Sequence, residues 1–252
     1  MNSKLKTVAI IPARSGSKRI PNKNIAMLGK HPMLAYSINV AIESGIFDEV
    51  ICSTDSMEYA EIAEYYGAKV PFLRSSEISG DSSPDIEWVS STLNELQKNH
   101  TKYDVFSILR PTSPFRKIET IQSAFKLFTD TPDADSLRAI EKCSQHPGKM
   151  WEIDEKFMTP IMPMKLNGVP WHSNQYKALP EIYVQNASLE IAWVKTVEGG
   201  NDISGKNILP YISKAYEGFD INEPRDLELA RNLIEEDPSL LLKIKKSEYK
   251  IS

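Results

Sequence analysis

The sequence predicts an α/β fold, a doubly wound and mostly parallel sheet in one domain of 252 residues, with an inserted lobe at about 141–180. Three observations predict it. Val8-Ala9-Ile10-Ile11 is an apolar run too continuous for a half-exposed strand, and it reads as a buried central one. Short β-branched runs then alternate with stretches of helical period, a pattern that implies right-handed crossovers between parallel strands. Hydrophobic residues make up 41% of the chain and charged residues 25%, enough apolar material to core a domain of this size.

The elements follow in order. After the first strand comes a loop, Arg14-Ser15-Gly16-Ser17-Lys18-Arg19, and residues 27–32 read as a turn. From Pro32, apolar residues Met33, Leu34, Ile38, Ala41 and Ile42 recur at helical spacing, and Gly45 ends the helix. Glu49–Ser53 is the second strand. Thr54-Asp55-Ser56 caps a helix that carries Ala60, Ile62, Ala63 and Tyr66 and stops at Gly67. Residues 70–73 form a third short extended piece, and a polar loop then runs to Pro84. Asp85–Lys98 is a helix, 105–109 the fourth strand, 117–128 a helix and 135–140 the fifth strand. The alternation fails over 141–180, where Pro, Met, Trp and Gly gather; hairpins are expected around 152–156 and 166–169. Tyr183–Trp193 returns to the sheet, and a last helix carries Leu227, Leu229, Ala230 and Leu233.

Composition excludes several classes. A net charge of −4 argues against a general nucleic-acid binder. No apolar run has the length to span a membrane. Cys52 and Cys143 lie far apart without a C-x-x-C partner, and no targeting segment precedes the first strand, so a reduced, cytoplasmic protein is expected. His146 and His172 are isolated and suggest no metal site.

Chemistry concentrates at three places. In the first loop, small residues let backbone N–H groups approach phosphate oxygens, and Arg14, Lys18, Arg19 and Lys23 supply positive charge. It lacks both the Walker and the G-x-G-x-x-G spacing, so it reads either as a different phosphate cradle or as a basic surface turn. Arg110-Pro111-Thr112-Ser113-Pro114-Phe115-Arg116 follows the fourth strand at the carboxyl edge, where such sheets bind ligands. It is an anion-recognition loop or a proline-stiffened turn. Asp220 and Asn222 alternate about one apolar residue, so an extended backbone points both to one side, which suits Mg²⁺; alternatively, Asn222 caps the last helix.

The motif Ile11-Pro12-Ala13-Arg14-Ser15-Gly16-Ser17-Lys18-Arg19-Ile20-Pro21-Asn22-Lys23-Asn24 resembles the I-P-A-R-x-G-S-K-x-I-P-x-K-N of the acylneuraminate cytidylyltransferase family. Ser53-Thr54-Asp55, Leu73-Arg74 with Asp81, Pro111 to Arg116, and Asp220-Ile221 with Pro224 and Asp226 follow in the family's order, so the resemblance spans nearly the whole chain. It implies a Rossmann-like nucleotidyltransferase that couples CTP to a 2-keto-3-deoxy nonulosonic acid, releasing pyrophosphate by in-line attack on the α-phosphate with Mg²⁺ or Mn²⁺. The catalytic residues implied are Arg14, Lys18, Lys23 and Asp220. Ala13, Arg14, Ser15, Gly16, Ser17 and Lys18, then Asn24, Arg74, Asp81 and Ser82, are implied to bind the nucleotide. Arg110, Thr112, Ser113, Arg116 and Asn186 are assigned to the acceptor, and Asp220 and Asn222 to the metal. A homodimer formed through the inserted lobe is also implied.

Three positions depart from the family pattern. Arg110 stands where Gln is usual, Asn222 replaces the second Asp of Asp-Ile-Asp, and Val184-Gln185-Asn186-Ala187 lacks the arginine of Arg-x-Asn-Gly. A guanidinium fork suits a carboxylate or a phosphate, so Arg110 is expected to take over contact with the acceptor's carboxylate. The alternatives are a nucleotidyltransferase for a different, phosphorylated acceptor, and a nucleotide-binding relative without turnover.

Overall fold

A computed structural model describes residues 4–80, 83–98, 101–199 and 202–250. The chain divides into two compact units, Met1–Ala139 with Asn186–Ser252, and Ile140–Gln185.

The larger unit is built on β1 (Thr7–Pro12). After the first loop, β2 (Met27–Leu28) and β3 (His31–Pro32) pair antiparallel, so the expected turn is a short hairpin about Gly29 at φ +59°. Helix α1 (Met33–Ser44) ends at Gly45, which takes the left-handed conformation. Next come β4 (Glu49–Ser53) and α2 (Met57–Tyr66), whose cap is the Ser56 hydroxyl accepting from the Tyr59 N–H. Helix α3 (Asp85–Lys98), β5 (Val105–Ile108), α4 (Ile118–Thr129) and β6 (Ser136–Lys142) complete the first half. The smaller unit contributes β7 (Trp151–Asp154), β8 (Phe157–Pro160), β9 (Lys165–Leu166) and β10 (Val169–Pro170). The chain returns through β11 (Tyr183–Trp193), then α5 (Val194–Glu198), β12 (Ile208–Ile212) and α6 (Pro224–Glu236).

The main sheet runs β12-β6-β11-β5-β1-β4. β1 lies inside it and pairs in parallel with β4 (Val8 opposite Glu49) and β5 (Val8 opposite Phe106). β11 lies antiparallel to β5, with Glu190 opposite Ile108, so the sheet is mixed. Ala9 and Ile11 face one hydrophobic cluster with Leu34, Ile38 and Ile62, while Val8 and Ile10 face another with Val89 and Leu93. Burial on both faces is why β1 is uniformly apolar.

One expected strand fails and one unexpected strand forms. The extended piece at 70–73 is not a strand: Lys69 bridges Ile51, and Pro71, lacking an N–H, cannot extend the ladder. β12 escapes the sequence reading because Pro210 interrupts it; its Leu209 and Tyr211 pack on the core while Ile208 and Ile212 are exposed.

In the smaller unit the β7–β8 hairpin pairs Trp151 with Pro160 and Asp154 with Phe157, and it turns at Glu155 (φ +48°). The β9–β10 hairpin turns through Asn167 and Gly168. His146 is wedged against Trp171 and Tyr176; its Nδ1 accepts from the Gly148 N–H and its Nε2 meets the Pro180 carbonyl, so it is a hydrogen-bonded packing residue. His172 packs on Trp151. Among the described residues no three His, Cys, Asp or Glu side chains group to hold a metal, and no helix is long and apolar enough to cross a membrane.

Candidate active site

A cleft of about 660 Å³ opens at the carboxyl ends of β1 and β5. On one side it is lined by Arg14, Ser17, Lys18, Arg19, Lys23 and Asn24, and on the other by Arg110, Thr112, Asp220 and Asn222. Arg74, Asp85 and Trp88 line it as well.

The cationic loop is held from behind. The Ala13 N–H donates to the Ser53 carbonyl, which continues the β1–β4 ladder by one residue. Ser15 gives both its N–H (2.8 Å) and its hydroxyl (3.1 Å) to the Asp55 carboxylate. Asn24 donates to the Arg14 carbonyl at 2.9 Å. Ala13 and Ser15 are therefore bonded within the protein and do not line the cleft, although the resemblance implies that they meet the nucleotide. A Cβ on Gly16 would meet nothing within 4 Å, so the packing around the loop does not itself demand glycine there. Arg14, Ser17, Lys18, Lys23 and Asn24 do come together on the cleft wall.

Lys23 reaches across to the carbonyl of Ile221 (3.1 Å) and the amide oxygen of Asn222 (3.4 Å). Burial lowers its pKa, and the charges of Arg19 and Arg14 push the same way, against Asp220. Asn222 donates its amide to Asp220 Oδ2 at 2.6 Å, while Asp220 Oδ1 is buried with no hydrogen-bond partner. The cap of α6 is made elsewhere: Asp226 accepts from the N–H groups of Asn222 and Glu223. The Asn222 side chain thus serves the cleft and not the helix end.

At the far end, Arg74 lies over the Trp88 ring at 4.9 Å and donates to the carbonyl and hydroxyl of Ser53. Burial brings its pKa down to about 10, which leaves it a cation at neutral pH. Asp81 and Ser82, also expected at the nucleotide, lie outside the described residues.

The loop at 110–116 divides between cleft and core. Thr112 lines the cleft, and its carbonyl accepts from the Ile221 N–H, tying this loop to the Asp220 segment. Arg116 is buried beneath, donating to the carbonyls of Ser188 and Arg110 and to the Ser37 hydroxyl. Burial lowers its pKa as well. Ser113 is fully buried, and Asn186 is held by Ser213 and Ser188. The family resemblance assigns these three to the acceptor. The structure sets them under the cleft wall, where Arg116 and Asn186 use their polar atoms on neighbouring chain segments.

Arg110 does face the cleft, yet it is already paired. It meets Asp85 at 2.5 Å and Glu190 at 3.0 Å, and Glu190 is bound in turn by Arg138. The sequence reading does not place Asp85, Glu190 or Arg138 at the site. A signal exists for two of them: Glu190 and Arg138 are charges within otherwise apolar strand sequences, and a buried charge needs a partner.

Residues 8–154 match a cytidylyltransferase family model. The chain is 33% identical over 232 residues to the CMP-N,N'-diacetyllegionaminic acid synthase of Legionella pneumophila, covering 92% of this chain and 97% of that protein. The chain belongs to the cytidylyltransferase family. It is also 33% identical to the N-acylneuraminate cytidylyltransferase of Escherichia coli, over 89% of this chain and 51% of that one. The pseudaminic acid cytidylyltransferase of Campylobacter jejuni is 43% identical over 49% of this chain and 53% of its own length. A solved structure of CMP:2-keto-3-deoxy-manno-octonic acid synthetase complexed with CTP superposes with a TM-score of 0.67 at 16% identity, over 92% of this chain and 99% of that one. That likeness shows the cytidylyltransferase chain and the synthetase to share a fold.

Proposed function

We propose that the protein couples CTP to a 2-keto-3-deoxy nonulosonic, sialic-acid-like sugar acid, giving the CMP-sugar and pyrophosphate. The observation that carries this reading is the opposition, across one cleft, of the Arg14–Lys18–Lys23 cations and the Asp220 carboxylate. A triphosphate brings several negative charges, and a cation-lined wall beside an acidic anchor for a cation complements it.

Arg14, Lys18 and Lys23 hold the β- and γ-phosphates, with Ser17 and the loop backbone beside them. Arg74 and Trp88 frame the end of the cleft assigned to the base and ribose. The acceptor's anomeric hydroxyl oxygen forms a bond to the α-phosphorus as the bond from that phosphorus to the bridging oxygen breaks. The electron pair leaves on pyrophosphate, the hydroxyl proton is released, and the cations stabilise charge growing on the leaving group. No covalent intermediate is needed. Asp220, with its unpartnered buried oxygen, and Asn222, whose amide oxygen now accepts from Lys23, are the oxygen donors that would hold Mg²⁺ or Mn²⁺. Such an ion would supply positive charge to the phosphates.

The smaller unit carries a hairpin with Ile153, Phe157 and Met158 exposed, which suits a homodimer arm. Free Cys52 and Cys143 suit a cytoplasmic setting.

Calorimetry tests the nucleotide half of this reading. CTP should bind in the presence of Mg²⁺, and Lys23→Ala should weaken binding about tenfold or more, the scale of a lost charge-assisted contact. Equal binding by wild type and Lys23→Ala would contradict the assignment.

A further inference from the structure

Two charged side chains that line the cleft, and two behind them, are not employed in the triphosphate binding described above. They form a chain: Asp85, Arg110, Glu190 and Arg138. Its two ends differ. Glu190 is almost wholly buried on β11 and is gripped by both arginines, and Arg138 is braced further by the Ser204 hydroxyl. Asp85, the first residue of α3, is about one-third exposed and lines the cleft with Arg110. The inner half is therefore fixed, whereas the outer carboxylate sits where a ligand's carboxylate would arrive.

The charges sum to zero in the free protein, two guanidinium groups against two carboxylates. Glu190 is shared between the two arginines; Asp202 also acts on Arg138, and Asp85 supplies the second negative charge at Arg110. Asp85 also has a second hold, because the Trp88 indole N–H donates to its Oδ1 at 2.8 Å. It can leave Arg110 without becoming an unpartnered carboxylate. Arg110, for its part, has a buried Nε with no hydrogen-bond partner, so its present pairing does not use the whole guanidinium fork.

We infer that Asp85 is an exchangeable counter-ion: an incoming carboxylate displaces it from Arg110, while Glu190 and Arg138 act as positioning residues that keep the guanidinium aimed at the cleft. Applied to the acceptor's carboxylate, the inference rests on the sugar-acid reading above; the exchange itself does not. No bond is made or broken. One ion pair is replaced by another, and the cost of displacing Asp85 falls on every carboxylate that enters. Small anions gain little elsewhere and bind weakly, whereas a sugar acid adds hydrogen bonds along its body.

Pyruvate, the simplest 2-keto carboxylate, is the probe. Thermal shifts are recorded against pyruvate concentration at constant ionic strength for wild type, Asp85→Asn, and the Asp85→Asn/Arg110→Gln double variant. Asp85→Asn should bind pyruvate about 3- to 10-fold more tightly than wild type, the range expected for removing one competing charge from a partly exposed pair. The double variant should lose that gain. No gain in Asp85→Asn, or a gain retained in the double variant, overturns the inference. Asp85→Ser repeats the measurement where Asp85→Asn fails to fold. With a sugar acid that turns over, Asp85→Asn should lower the acceptor KM by a similar factor and by more than it moves the CTP KM; a change confined to the CTP KM would place Asp85 at the nucleotide and overturn the exchange. Absence of turnover in wild type with every sugar acid would defeat the sugar-acid reading and leave the pyruvate result to decide the exchange.

Discussion

Glu190→Gln removes the carboxylate that joins Arg110 to Arg138 while keeping the side chain's shape. Glu190 is 4% exposed, and its partners are 23% and 11% exposed. At the 3.0 Å separation from Arg110, Coulomb attraction with an effective dielectric constant of 20 is about 5 kcal/mol, much of it offset by the desolvation of both ions. Deleting one member leaves Arg138 with the Ser204 hydroxyl and the charge of Asp202, and breaking a buried pair in this way costs roughly 3–5 kcal/mol. For a chain of this size that corresponds to a fall in Tm of roughly 6–20 °C. Urea unfolding followed by circular dichroism should show the midpoint falling with an unchanged slope. In a double-mutant cycle, Glu190→Gln and Arg138→Gln should couple by about 2 kcal/mol. A loss below about 1 kcal/mol, or simple additivity, would refute the reasoning that this network is held in low dielectric.

Other consequences follow from separate parts of the structure. Lys23 has a lowered pKa, and phosphate binding needs its ammonium form, so CTP affinity should fall as pH rises through a value beneath the ordinary 10.5. Lys23→Arg should move that alkaline limb upward in a pH profile of kcat/KM for CTP; an unmoved limb would exclude Lys23 as its source. Asp55→Ala frees the Ser15 N–H and hydroxyl that hold the cationic loop, and the CTP KM should rise about tenfold, measured by steady-state kinetics. Gly205 lies at φ +69°, and an added Cβ would meet Asp135 Cγ at 2.8 Å, so Gly205→Ala should destabilise the fold by at least about 2 kcal/mol in urea titrations.

Most of the sheet is legible in the sequence because its β1 strand is buried on both faces and its first helices end at glycines. Gly45 and Gly67 take left-handed conformations, so the stops of α1 and α2 are written in chemistry that only a few residues tolerate. Pro71 and Pro210 mislead in opposite directions. The first lies in an apolar stretch that never joins the ladder, and the second interrupts a strand at the sheet's edge, where a missing N–H is tolerated.

The lining of the candidate cleft is legible where a charged side chain faces it, as with Arg14, Lys18, Lys23 and Asp220. It is not legible where neighbouring residues of one motif divide between surface and interior. Thr112 faces the cleft while Ser113 and Arg116, one and four positions later, are buried beneath it, and spacing alone does not reveal that turn of the chain. Arg110 shows a further limit. Its identity suggests a free cation, but whether it is free depends on Asp85 and Glu190, which lie 25 and 80 residues away in the chain.

The most direct test of the account is pyrophosphate release by the wild-type protein with Mg²⁺, CTP and a panel of sugar acids: sialic, legionaminic, pseudaminic and deaminated nonulosonic acids, and 3-deoxy-manno-octulosonic acid. ATP, GTP and UTP serve as nucleotide controls. The account predicts turnover with CTP and at least one nonulosonic acid, a CMP-linked product by mass spectrometry, and loss of that turnover in Lys23→Ala. Pyrophosphate release that ignores the sugar acid, or that proceeds equally with ATP, GTP or UTP, would contradict it.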